Sequence, residues 1–306
     1  MRWALAAAVA LALVLPAQAQ AVPECNRYPE ARVIAEGLGT LESTLMDRQG
    51  RLLIGGDGSL MRMESPGVDP EVVVPGIQGP GGLAHGGDGF LYMGFGDTIA
   101  IGAQGDTNPQ AGMLRIDPET GESSVFAEGM SMANGIVRGP DGAFYASNDI
   151  VGGIDRVTPD GQIEHRWSDV VSANGLVVSR DKGHLYSAQT FTAAAIARVP
   201  FDEPEAIETY YSAPPEDAAA GLDGMVRDRK GRLYVAANGA GEVWRVNRDP
   251  EACSLASMAP FPDGPSALTF GRGKRGFDRR NLYVVNFAGE VIELPGVRGT
   301  RHKQRG

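Results

Sequence analysis

Four residues of the 306-residue chain could meet as ligands of a hard cation: Glu42, Asn134, Asn174 and Asp223. Each heads a short apolar run eight positions before a recurring glycine (Gly50, Gly142, Gly231), or nine for Asn174 ahead of Gly183. Gly81 fills the same slot ahead of Gly89, and Ser266 is nearest to it in a sixth copy, where the insertion Gly271 to Gly276 breaks the count. Two carboxylates and two amides suit Ca²⁺, which takes oxygen ligands at roughly 2.3–2.6 Å in irregular geometry; another hard divalent cation fits the same description. Glu42 and Asp223 would balance its charge, whereas without a cation they would repel and one would hold its proton more tightly. Zinc is not indicated, because His85, His165, His184 and His302 show no ligand spacing. Taken singly, Asn134-Gly135, Asn174-Gly175 and Asp223-Gly224 are also ordinary turn dipeptides, as is Asn238-Gly239, so a turn reading stands beside the ligand reading. Glu42 occupies the slot without being a turn former.

Residues drawn to one place from such distant points need a cyclic scaffold, and a repeat supplies it. A turn ending in Gly is followed three residues later by Leu53, Tyr92, Tyr145, Tyr186 and Tyr234, and a sixth copy with Arg280 in the Gly place ends at Tyr283. The spacing averages about 46 residues, the length of a four-stranded propeller blade. A Gly-to-Arg motif follows, as Gly58 to Arg62, Gly112 to Arg115, Gly153 to Arg156 and Gly241 to Arg245, and reads as a third strand. Turns such as Pro159-Asp160-Gly161 then precede alternating stretches such as Gln162 to Trp167, a fourth strand facing solvent. Sustained 3.6-residue apolar periodicity is lacking. The expectation is an all-β fold, a six-bladed β-propeller over 22–297, closed by an N-terminal strand pairing into the last blade, with a basic, disordered tail over 298–306. The innermost strand of each blade borders the central channel, which would bring the oxygen ring to one end of its axis. The loop 96–112, rich in Gly, Asp and Asn, reads either as cover for the channel mouth or as an ordinary surface loop.

Composition fits a globular chain with a sizeable core, at 42% hydrophobic and 22% charged residues; 42 glycines and 20 prolines favour strands and turns over helices. A net charge of −10 argues against nucleic acid as a partner. Residues 1–21 read as a signal peptide: Arg2, an apolar run from Trp3 to Leu15 too short to span a bilayer, then Ala17-Gln18-Ala19. The mature protein is therefore expected to be periplasmic or secreted, with no membrane attachment. In an oxidising compartment Cys25 and Cys253 can persist as a disulfide; the alternative is two free thiols.

Three stretches carry a family resemblance: Ala173-Asn174-Gly175-Leu176; Gly221-Leu222-Asp223-Gly224-Met225 followed by Gly231-Arg232-Leu233-Tyr234-Val235-Ala236; and Asn134-Gly135 ahead of Pro140-Asp141-Gly142. On these the chain resembles the SMP-30/gluconolactonase/luciferin-regenerating-enzyme family of six-bladed calcium-dependent propellers, over essentially its whole mature length. The resemblance implies Glu42, Asn174 and Asp223 as direct metal ligands, Asn134 as a ligand or substrate contact, and Asp223 as the catalytic acid/base. Two departures matter. The family's Glu-Gly-Pro-x-Trp is here Glu42-Ser43-Thr44-Leu45-Met46, so Glu42 rests on register. Met132 stands where some sugar lactonases carry an Arg, which puts Met132 at the substrate and favours a less polar substrate than a sugar-acid lactone.

The function expected is a metal-dependent hydrolase of a lactone or related ester, a monomer whose partner is a small-molecule substrate. No Gly-x-Ser-x-Gly elbow or histidine dyad supports a Ser or Cys nucleophile. Two rivals share the scaffold: a non-catalytic propeller binding a small molecule or protein at its channel face, and a metal-dependent lyase or isomerase. A binding module would be marked by an exposed aromatic cluster, which aromatics at 7%, largely repeat tyrosines, do not lead one to expect.

Overall fold

The structure, a computed structural model, describes residues 21–26 and 30–298. The expected signal peptide up to residue 20, and the basic tail from 299, lie outside the described residues. Six sheets of four antiparallel strands follow one another around a ring. Their innermost strands are Leu41–Met46, Leu83–His85, Ile136–Arg138, Ala173–Val178, Leu222–Arg227 and Pro265–Phe270, in blades 1 to 6. This is the six-bladed propeller that the repeat implies.

The register explains the repeat. Each Leu or Tyr anchor lies on the second strand of its blade, and four stand directly opposite the Arg of the Gly-to-Arg motif on the third: Leu53 faces Arg62, Tyr92 faces Arg115, Tyr145 faces Arg156 and Tyr234 faces Arg245, while Tyr186 faces Arg198 and Tyr283 faces Glu293. A turn aspartate ties several of these pairs. Asp88 accepts from the Tyr92 hydroxyl (3.0 Å) and from Arg115 Nε (2.9 Å), and Asp141 accepts from Tyr145 (3.2 Å) and Arg156 (2.8 Å). The repeat thus encodes a cross-strand unit, the element of sheet stability. Apolar side chains pack between blades; Leu41, Ile54 and Met61 of blade 1 cluster with Tyr283, Val285 and Val291 of blade 6. Burial stabilises by about 1.5–3 kcal/mol for each large aliphatic side chain.

Closure uses two blades rather than one. Arg32–Ala35 pairs antiparallel with Val291–Leu294 as the outer strand of blade 6, as expected. Just upstream, Glu24 bridges Ser254 in parallel on the outer strand of blade 5, Ala252–Ser257, where the Cys25 N–H donates to the Ser254 carbonyl (2.8 Å). Cys25 and Cys253 are disulfide-bonded there, with Cα atoms 4.9 Å apart. No helix among the described residues is long and apolar enough to cross a membrane.

Candidate active site

All six innermost strands run the same way, so their first residues crowd together at one end of the channel. Neighbouring backbones touch there. A Cβ on Gly135 would lie 2.4 Å from the Asn174 carbonyl oxygen, one on Gly175 2.4 Å from that of Asp223, and one on Gly224 2.5 Å from that of Ser266. The turn reading of these dipeptides is therefore corrected. Asn174-Gly175 and Asp223-Gly224 lie inside strands, and their glycines are needed for close approach rather than for a left-handed backbone. Asn238-Gly239, by contrast, does occupy the turn between Leu233–Ala237 and Glu242–Val246.

Hydrogen bonds from blade to blade close the ring. Ser43 Oγ donates to Gly81 (2.7 Å), Ser147 Oγ to Asn174 (2.7 Å), Thr190 Oγ1 to Leu222 (2.7 Å), Asn238 Nδ2 to Pro265 (3.1 Å) and Ser266 Oγ to Leu41 (2.6 Å), all at backbone carbonyls. The Gly82 N–H to the Asn134 carbonyl (2.5 Å) supplies the link between blades 2 and 3. Ser266 thus serves as a fastener, in the slot where four blades place donors.

Glu42, Asn134, Asn174 and Asp223 line one axial cavity of about 80 Å³. The sequence ring is brought together, with Asn134, Asn174 and Asp223 buried and Glu42 half-buried. Two further carboxylates join it. Asp97 follows Leu91–Phe95 and Asp149 follows Phe144–Ser147, so second strands deliver both to the same end. Burial, then the charges of Asp223 and Asp149, hold the Glu42 carboxyl well above the usual carboxylate range. Burial, Asp149 and Asp97 do the same to Asp223, and burial, Glu42 and Asp149 to Asp97, partly offset by hydrogen bonds from Asn174 and Asn134 respectively. Burial pushes Asp149 up to about 6. Asn174 Nδ2 donates to Thr190 Oγ1 (2.9 Å) and reaches Asp149 Oδ2 (3.4 Å), which leaves its Oδ1 as the atom able to ligate.

The donors fit a hard cation. All are oxygens, four of them carboxylates opposing one another, and Asp149 Oδ1 is buried without a hydrogen-bond partner. Among the described residues no three His, Cys, Asp or Glu side chains stand close enough to hold a metal by themselves, so amide oxygens and water would have to share the coordination.

Met132 is placed differently from the ring. It is buried, and its sulfur would lie 2.6 Å from a Cβ on Gly102, so it packs beneath the short helix Ile99–Gly102 of the 96–112 loop. That loop is fastened across blade 3: Asn148 Nδ2 donates to the Gly102 carbonyl (3.0 Å) and Arg166 pairs with Asp106 (2.9 Å). It lies at the channel's oxygen-bearing end. Four connections at that end expose Ile99 (73%), Val171 (62%), Phe191 (66%) and Phe261 (67%), and no other large apolar residue among those described exceeds 57%.

Residues 142–287 match the model of the SMP-30/gluconolactonase/LRE-like region, a span that holds Asn174 and Asp223. The chain resembles that family. Solved structures with the same propeller include a gluconolactonase from Xanthomonas campestris (17% identity, TM-score 0.69, covering 92% of this chain and 99% of that one). A calcium-binding regucalcin from Agrobacterium tumefaciens matches at 19% identity and TM-score 0.65, over 88% and 94% of the two chains. A streptogramin B lyase matches at 15% and 0.57, over 83% and 78%. At such identities these SMP-30-like likenesses are of fold. No curated protein sequence matches the chain significantly.

Proposed function

We infer that this SMP-30/gluconolactonase-like propeller is an exported, calcium-dependent hydrolase of a lactone or related ester. The observation that carries the reading is the convergence of Glu42, Asn134, Asn174 and Asp223 on one axial cavity. The likeness to a gluconolactonase and to a calcium-binding regucalcin supports it. Glu42, Asn174 and Asp223 would hold the cation, with Asn134 beside it. When bound, Ca²⁺ would polarise the substrate carbonyl and stabilise the developing oxyanion, worth several kcal/mol.

Asp223 supplies the proton chemistry. Its carboxylate, lining the axial cavity, would take a proton from water as the new C–O bond forms. The same carboxyl then returns that proton to the ring oxygen as the lactone C–O bond breaks, giving a hydroxy acid. Asn134, which lines the same cavity, would orient the substrate. An axial cavity of about 80 Å³ admits water but not a lactone, so the substrate would sit above the ring, among Ile99, Val171, Phe191 and Phe261. That rim favours an apolar acyl or aryl substituent over a sugar acid, whereas Met132, buried beneath the Ile99–Gly102 helix, does not line the axial cavity.

Phe191 and Phe261 also give the non-catalytic binding reading an exposed aromatic pair. Metal analysis of the purified protein beside Glu42→Gln/Asp223→Asn, after dialysis in trace calcium, is the test. About one calcium per chain, lost in the variant, followed by turnover in a lactone and ester screen, is the expected result. No bound metal with the fold intact moves the assignment to the binding module, and metal without hydrolysis moves it to a lyase or isomerase.

A further inference from the structure

We propose that the end of the channel opposite the carboxylate ring is a binding site for multiply charged phosphate groups. The innermost strands Leu41–Met46, Leu222–Arg227 and Pro265–Phe270 have Glu42, Asp223 and Ser266 near their first residues, and Arg48, Arg229 and Arg272 each stand two residues past their last, about 16–20 Å away along a six-residue strand. A cavity of about 620 Å³ opens there, within the range of small-molecule sites. Its charged lining is entirely cationic: Arg48, Arg229, Arg272, Lys274, Arg279 and Arg298, with Arg280 as a seventh. A quarter of the chain's 28 Lys and Arg residues thus face one cavity, in a protein of net charge −10.

Elsewhere in the molecule arginines find carboxylates, as Arg62 does with Glu71, Arg115 with Asp88, Arg156 with Asp141 and Arg198 with Glu208. Around this cavity, among the described residues, only Arg280 does, through Asp278. Four of the others are braced by backbone carbonyls: Arg48 Nη2 on Gly86 (2.9 Å), Lys274 Nζ on Arg48 (3.1 Å), Arg279 Nε on Arg272 (2.6 Å) and Arg298 Nη1 on Arg279 (3.3 Å). Arg298 also lies over the Phe270 ring at 3.5 Å, and its Nε is buried with no partner. Arg272 meets only His85 Nε2 (3.1 Å), and Arg229 makes no hydrogen bond or ion pair among the described residues. Each guanidinium carries five N–H donors, so carbonyl bracing fixes the side chains while leaving most donors free. The carboxylates that act on the cluster, Asp47 on Arg272 and Asp228 on Arg298, are themselves paired with Arg51 and Arg232, so the cavity keeps a surplus of cations. Such a surplus is arranged for an anion, and planar forks suit the oxygens of phosphate. Arg229 is shared with an adjoining basic recess that includes Arg232 and Arg248, so the ligand can extend beyond one phosphate. This site lies at the far end of the axis and does not depend on the hydrolase reading.

Isothermal titration of the full chain with sodium tripolyphosphate in 0.1 M salt tests the proposal, beside Arg229→Gln/Arg272→Gln and a control, Arg115→Gln/Arg166→Gln, that removes two charges elsewhere. One ligand per chain, weakened at least about tenfold in the first variant and little in the control, is expected. A parallel arm uses vesicles of phosphatidylcholine with and without phosphatidic acid. Arginine-dependent binding to the phosphatidic acid vesicles alone would support the same site with a lipid headgroup as the source, and arginine-dependent binding of free tripolyphosphate a soluble one. Absence of binding in both arms overturns the proposal, as does equal loss in the two arginine variants. Tripolyphosphate binding lost instead in Asp223→Asn would mark chelation at the other end and overturn it too. Circular dichroism of each variant separates loss of binding from loss of fold.

Discussion

Gly175 lies so close to Asp223 that a Cβ on the glycine would stand 2.4 Å from the aspartate's carbonyl oxygen, a separation real side chains do not adopt. The same contact recurs between Gly135 and Asn174 and between Gly224 and Ser266, so glycine sets the diameter of the channel at the depth where the ligands project. Position of the candidate acid/base therefore depends on a residue with no side chain.

Gly175→Ala should force blades 4 and 5 apart. We expect a loss of about 1–3 kcal/mol in denaturant unfolding, as for overpacking, together with a fall of about 10²-fold in kcat/KM as Asp223 moves. Normal activity in a fully stable variant would show that the contact relaxes without shifting the site.

Asp223→Ala should lower turnover by about 10²–10⁴-fold, the range for a general acid/base, on whichever lactone the screen yields. Because the native carboxyl is buried among like charges, its removal should leave the metal-free protein no less stable. Steady-state kinetics and a melting curve on one preparation check both halves, and near-normal turnover would falsify the catalytic role.

The propeller and half of the acid cluster were legible in the sequence, for a physical reason. Tyr145 and Arg156 oppose each other across two strands, so one structural requirement stamps the same residues into each blade and the period shows. Glu42, Asn134, Asn174 and Asp223 inherit that period because inner strands begin in register. Asp97 and Asp149 lie outside that register, because they follow the repeat glycine instead of preceding it. Counted forward, Asp97 stands eight after Gly89, while Asp149, Thr190 and Asn238 each stand seven after Gly142, Gly183 and Gly231, a second register at the exit of the second strands. The basic cavity follows the period only in part: Arg48 and Arg229 each stand two residues before a repeat glycine, whereas Lys274 comes from the insertion Gly271 to Gly276 that one blade alone carries.

In chelator, stability should fall as pH rises. Asp149 is held at about 6 against 3.8 for an ordinary aspartate, so between those values the native state binds more protons than the unfolded chain and loses stability as pH climbs through 6. Glu42, Asp97 and Asp223, raised for the same cause, act in the same direction. His85 works in the opposite sense, its pKa lowered by burial and by Arg272, so the informative quantity is the difference from Asp149→Asn. Wild type minus variant Tm should decrease between pH 4 and 7, and calcium should restore Tm at pH 7 more than at pH 4. A pH-independent difference would contradict the assignment.

Reducing the Cys25–Cys253 bond should lower the melting temperature. Its long enclosed loop sets an upper estimate of about 5.4 kcal/mol from chain entropy. Cys25→Ser/Cys253→Ser should show the same loss without reductant, and thiol labelling of both cysteines in the native oxidised protein would disprove the bond.

That bond also makes most of the molecule a covalent circle. Counting from Cys25 to Cys253 along the chain, the circle takes in blades 1 to 4 and nearly all of blade 5, with the closing strand Arg32–Ala35 inside it and the rest of blade 6 outside. A protease that cuts any exposed loop within the circle opens it without dividing it. Nicked protein would run as one band until a reductant is added, and the inter-blade fasteners would keep its pieces in place. A cut after residue 253 gives two bands on a denaturing gel without reductant, so the circled blades and the remainder of blade 6 differ in what a single cleavage does to them.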